Sequence, residues 1–202
     1  MPPADTWKNI PDLSALNRHR LEAAILGMVL GRRGLHTFPE RSLWLNLVRP
    51  VVQSVSDYEE SRRCCKERDG GGASFISASS FRSLERMELA IISSHRAARF
   101  CEQLAKRGAL PAALSLSTVQ MENLARVRHA IEHLESRVLG GVERGGPFML
   151  LMRKLDVQIQ AEKGAQSVTL TYKRLAGILH DLDRAAAHLT KTSGNYSGPL
   201  LR

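Results

Sequence analysis

The chain has 202 residues, 43% hydrophobic and 24% charged, which excludes a wholly disordered polymer and allows one domain with a core but not comfortably two. Lys and Arg number 29 against 20 Asp and Glu, a formal charge of +9, so polyanionic partners are favoured, because phosphate contacts release counterions. The opening MPPADTWKNIPDL has no basic segment followed by an apolar run, and the most apolar stretch, Ala23 to Leu30, is too short to cross a bilayer, so a cytoplasmic protein without membrane contact is expected.

Residues 1–11 carry three prolines and little pattern and read as an N-terminal arm. From Asp12 to about Leu30, Leu21, Ala24, Ile25 and Met28 recur at three- and four-residue steps, the period of a one-sided helix. A second helical pattern (Leu45, Val48, Val52, Val55) runs from about Glu40 to Lys66, and Pro50 is expected to kink or split it. The run Arg62-Arg63-Cys64-Cys65-Lys66 is a basic cluster that either touches phosphate or closes a solvated helix end. Cys64, Cys65 and Cys101 fit neither a disulfide framework nor a metal knuckle and read as reduced thiols.

Asp69 to Ser79, with Gly70, Gly71 and Gly72, reads as a flexible loop, after which Ser80 caps a long helix ending near Lys106. Leu84, Met87, Ile91, Ser94, Ala98 and Cys101 form its inner stripe, and the small residues in it would let another helix approach closely. Gly108 and Pro111 end this helix. Ser117 and Gln120 make a capping-box pattern for a fourth helix that runs to Leu139 on the stripe Leu124, Val127, Ile131, Leu134 and Val138. Phe148 to Leu155 is apolar and of open type. Val157 to Gln160 and Ser167 to Leu170 alternate as a hairpin does. A last helix runs from Lys173 to Leu189 on Leu175, Ile178, Leu182 and Leu189, and a mobile tail is expected over 190–202.

The fourth helix carries Arg128-His129-Ala130-Ile131-Glu132-His133, which satisfies two motifs at once. At about 100° per residue, His129 and His133 share one polar face, whereas Arg128 lies about 140° from His133, at the edge of the apolar stripe. A site that joins Arg128 to His133 therefore needs an irregular helix or a second copy of the chain. Read as H-x-x-E-H, the run offers His129 and His133 as zinc ligands with Glu132 as the base. A third ligand would have to come from scattered positions such as Glu143, Glu162, His180 or Asp181. The plainest account is a solvated face with i to i+4 pairs such as Arg128 with Glu132. His180-Asp181-Leu182-Asp183 matches no ligand spacing, and Gly70 to Gly72 lacks the Lys-Ser or Lys-Thr of a phosphate loop.

Arg128-His129-x3-His133, on a late helix of a mainly helical chain, resembles the Arg-x4-6-His signature of HEPN domains, in the segment RHAIEHLESR. The resemblance implies a helical bundle that dimerises around the motif and, in active members, a metal-independent endoribonuclease of the kind found in toxin–antitoxin and defence systems. It further implies His133 as general acid or base, Arg128 as stabiliser of the charged phosphate and His129 as the residue that orients them. Other members are non-catalytic binding modules. The expectation is thus a mainly α, up-and-down bundle of about five helices with a small β-hairpin before the last, its helical domain spanning 12–189. RNA, a second copy and an antitoxin or other partner protein are the expected partners, with no cofactor called for.

Overall fold

The computed structural model describes residues 2–16, 38–71, 73–139, 150–159 and 167–194. Five α-helices are formed among them: α1 (Thr6–Asn9), α2 (Phe38–Gly70), α3 (Ala73–Lys106), α4 (Thr118–Leu139) and α5 (Tyr172–Gly194). Three short strands, β1 (Leu150–Met152), β2 (Asp156–Ile159) and β3 (Val168–Thr171), precede α5. The expected mainly helical class with a small β element before the last helix is what forms.

The N-terminal arm is tied down along α2. Arg68, 4% exposed, donates to the carbonyls of Pro2 and Pro3, and the Asp5 N–H donates to Asp69 at 3.0 Å. Leu13 N–H donates to Glu59 at 2.6 Å, and Ile10 and Leu13 are buried. Residues 12–16 do not begin a helix as expected. Asp12 accepts from both the N–H and the hydroxyl of Ser14, the local turn that competes with helix at such residues. The rest of that expected helix lies outside the described residues.

Pro50 does not split α2, which runs unbroken through it. A proline inside a helix costs about 3 kcal/mol. Leu47, Val48, Val51 and Val55 on both sides are buried, and each such side chain contributes about 1.5–3 kcal/mol. The expected loop over 69–79 is much shorter than that range: α2 extends to Gly70 and α3 starts at Ala73, so the break falls at the glycines but does not run on to Ser79. Ser79, Ser80 and Ser83 are buried inside α3 rather than capping it. Ser61 of α2 donates to the Ser83 carbonyl at 2.7 Å, so the serines let the two helices approach while their hydroxyls stay bonded.

The α3 stripe from Leu84 to Cys101 is buried at every expected position. The helix closes in a Schellman arrangement, with Ala109 N–H on the Leu104 carbonyl, Gly108 N–H on that of Ala105, and Gly108 at φ +71°. After a short 3-10 turn (Ala112–Leu114), Ser117 and Gln120 form the expected reciprocal cap of α4, at 2.8 and 3.3 Å. Gln120 also donates to Asp181 on α5 at 2.9 Å, fixing the start of α4 against the last helix.

The segment of open type becomes β1, antiparallel to β2, and β2 pairs with β3 in the register Val157↔Leu170 and Ile159↔Val168. The expected hairpin is therefore the larger part of a three-stranded sheet. Leu150, Met152, Val157, Ile159 and Leu170 turn inward onto α3, α4 and α5. Thr171 caps α5 by accepting from the Arg174 N–H at 3.2 Å. That helix buries Leu175, Ile178, Leu182 and Leu189 as expected, and its backbone runs on to Gly194, five residues into the segment expected as a tail.

Candidate functional site

Leu124, Val127 and Ala130 bury one side of α4 and thereby turn Glu122, Arg126 and His129 outward. Arg128 sits at the boundary, with 39% of its side chain exposed, and forms an i to i+4 ion pair with Glu132, itself 40% exposed. The helix is regular from Thr118 to Leu139, so positions 128 and 133 remain about 140° apart. The irregular-helix route to joining them is removed. The His133 side chain lies outside the described residues, and so do Glu143 and Glu162.

Glu132, the base of the zinc alternative, is occupied by Arg128. Of the other ligands considered, His180 is exposed, whereas Asp181 accepts from Gln120 and pairs with Arg184 at 3.6 Å. Asp183, on another side of α5, is 6% exposed. Among the described residues no three His, Cys, Asp or Glu side chains converge as a metal site would require.

The edge of α4 faces a residue that motif reading missed. His95, half-buried on α3, has Arg128 and Glu132 of α4 and Arg99 of its own helix as electrostatic neighbours. Burial first, and then the positive charges of Arg128 and Arg99, hold its imidazole below the ordinary 6.5, with Glu132 opposing them. The helical spacing of His95 and Arg99 was visible in the sequence, but their meeting with Arg128 depends on how α3 packs on α4.

His95 also lines an open groove of about 430 Å³ between α3 and α4, within the size range of small-ligand sites. Its α3 wall continues through Arg99, Glu102 and Lys106, and its α4 wall is Thr118, Met121, Glu122 and Ala125. Lys106 pairs with Glu102 at 2.7 Å and Arg99 approaches the same carboxylate at 3.7 Å, so two cations share one carboxylate along this wall.

The basic run of α2 is engaged elsewhere. Arg63 pairs with Glu60 and Glu67, Arg62 donates to the Ile10 carbonyl at 3.0 Å and pairs with Asp12 at 3.1 Å, and Cys64 and Cys65 are buried. Lys8, Arg62 and Lys66 surround the Trp7 ring at 5.4 to 6.0 Å, while Trp44 is buried in the core. A solvated, internally paired helix end describes this cluster better than a phosphate site. Among the described residues no helix is long and apolar enough to cross a membrane. No protein-family model matches the chain, and neither a curated protein nor a solved structure matches it.

Proposed function

We propose that the protein is an RNA-associated, HEPN-like helical protein that cleaves RNA without a metal at the α4 edge carrying Arg128. The observation that carries this reading is the electrostatic influence of Arg128 and Arg99 on the half-buried His95, on a chain of formal charge +9. Guanidinium groups supply charge-assisted hydrogen bonds to a phosphodiester, and histidine supplies proton transfer near neutral pH. In the motif's own terms His133 is the acid or base and His129 orients it, and on a regular α4 such a pair with Arg128 is reached by apposing two copies of the chain.

Cleavage of a labelled oligoribonucleotide in EDTA tests the reading, with wild type compared with Arg128→Ala and His133→Ala. Activity that survives EDTA and disappears in both variants is expected. EDTA-sensitive peptidase activity with zinc held by His129 and His133 would sink it. The Arg128–Glu132 ion pair favours a second reading, a non-catalytic module in which this face is only solvated charge. Salt-dependent RNA binding without cleavage would select that reading.

A further inference from the structure

The groove between α3 and α4 leaves apolar surface open along its length. Alanine at 98 and 105 on α3 and at 125 on α4 leaves space that larger side chains would fill. Leu116 and Met121 also line it, packed on the core yet only partly buried. The α3 wall runs from His95 to Lys106, roughly 16 Å along the helix axis. That is room for an extended chain of several carbons, which such a bed would take out of water.

The polar groups beside this bed favour an anion. Lys106 and Arg99 share the single carboxylate of Glu102, at 2.7 and 3.7 Å, and these two cations are 62% and 61% exposed. Exposed pairs of this kind contribute little, so either cation turns to a ligand at small cost. The connector before α4 crosses α3 at the same level, because the Cys101 thiol donates to the Leu114 carbonyl at 3.8 Å. Ser115, the next residue, lines the groove, and its hydroxyl oxygen is buried without a hydrogen-bond partner. Buried hydroxyls are nearly always bonded, and an acceptor brought by a ligand would meet this one.

We propose that this groove binds a small aliphatic monocarboxylic acid, its carboxylate held by Arg99, Lys106 and the Ser115 hydroxyl and its chain laid along the alanines. The charge of the ligand follows from the walls. Arg99 and Lys106 against Glu102 leave one positive charge in excess on α3, and Glu122, exposed on the facing wall, opposes a second negative charge on the ligand. A carboxylate therefore fits better than a phosphate monoester, which is close to doubly charged at neutral pH. The site does not draw on the RNA-cleaving reading, since the groove is lined without Arg128 or His129.

Calorimetric titration of the full chain with octanoate, octan-1-ol and octylammonium tests the site, with a ligand-free melt of every variant to show that it folds. Saturable binding of one octanoate per chain is expected, with the alcohol and the amine weaker by about tenfold or more, the worth of hydrogen bonds to a charged group. The double variant Arg99→Gln/Lys106→Gln should lose about tenfold or more in octanoate affinity. Ala125→Trp, a change at an exposed position, fills the groove and should abolish binding. Ser115→Ala should weaken octanoate while leaving the ligand-free melting temperature unchanged or higher, because its hydroxyl has no partner to lose. A wild type that does not bind octanoate, octylammonium bound as tightly as octanoate, or octanoate affinity untouched in the double variant or in Ala125→Trp overturns the site. A lower melting temperature in Ser115→Ala, or unchanged octanoate affinity there, overturns the part given to that hydroxyl.

Discussion

Arg86 of α3 donates to the carboxylate of Asp57 on α2 at 3.0 Å, and Asp57 is only 2% exposed. Gln53 donates to the other oxygen of the same carboxylate at 2.8 Å, so a buried charge on one long helix is held by its neighbour and by its own preceding turn. Replacing Arg86 by Ala leaves that charge with one partner. A loss of about 1–3 kcal/mol is expected, read as a lower midpoint in urea. Asp57→Asn should cost less than Arg86→Ala, since it removes the charge that needs compensation.

Two glycines should respond in opposite directions to the same change. Gly108 has φ +71° with open space where a Cβ would sit, so Gly108→Ala meets backbone strain alone. The left-handed conformation costs an L-residue about 1–2 kcal/mol. Gly177 lies exposed within α5, also with open space around a Cβ. Gly177→Ala should therefore stabilise by about 0.5–1 kcal/mol. Thermal melts of both variants check the pair of signs.

Acid stability should carry the mark of His95. Its pKa is depressed in the folded chain, so below 6.5 the unfolded chain binds the proton more readily than the native one. The corresponding stability is fully present above 6.5 and is lost as pH falls through the folded value. Urea midpoints at pH 7.5 and pH 5 should therefore differ more for wild type than for His95→Gln. Arg128→Ala should raise the His95 pKa, measurable by NMR of the imidazole. An unchanged pKa in that variant would separate the two residues.

The cysteines should be inert in the native state. Burial pushes the Cys64 and Cys101 thiols up to about 11 and raises that of Cys65. Since the thiolate is the reactive form, labelling at neutral pH should be slow until the chain unfolds, and then release three equivalents. Rapid native labelling of even one equivalent would contradict this burial.

The parts of the fold that could be read from the chain are those whose cause is local. Leu84 through Cys101, the Ser117–Gln120 cap and the alternation of Val157 to Ile159 each take their period or hydrogen bond from near neighbours. What escaped was set by packing. Pro50 argued for a break and the glycines after Asp69 for a long loop, but Val51 and Val55 on one side and Ser80 and Ser83 on the other are held helical by burial between α2 and α3. Leu150 to Met152 was undecidable by periodicity and became a strand because β2 offers it a partner. His95 shows the same limit at the candidate site. It is 33 positions from Arg128, and only the packing of α3 on α4 lets the charge of one act on the other.

With helices of 33 and 34 residues joined across two positions, α2 and α3 form an αα-hairpin roughly 50 Å long. Its contacts close early along the chain, whereas the sheet and α5 must wait for segments synthesised later. Loop closure is least demanding between near neighbours. The hairpin is therefore the expected folding nucleus, and α4 with its Arg128 edge docks onto a platform already built. In native-state hydrogen exchange, amides around Ile91 should open only with global unfolding, and those near Arg128 at lower free energy. The Arg128 edge would then be the part of the bundle with most freedom to adjust its contacts.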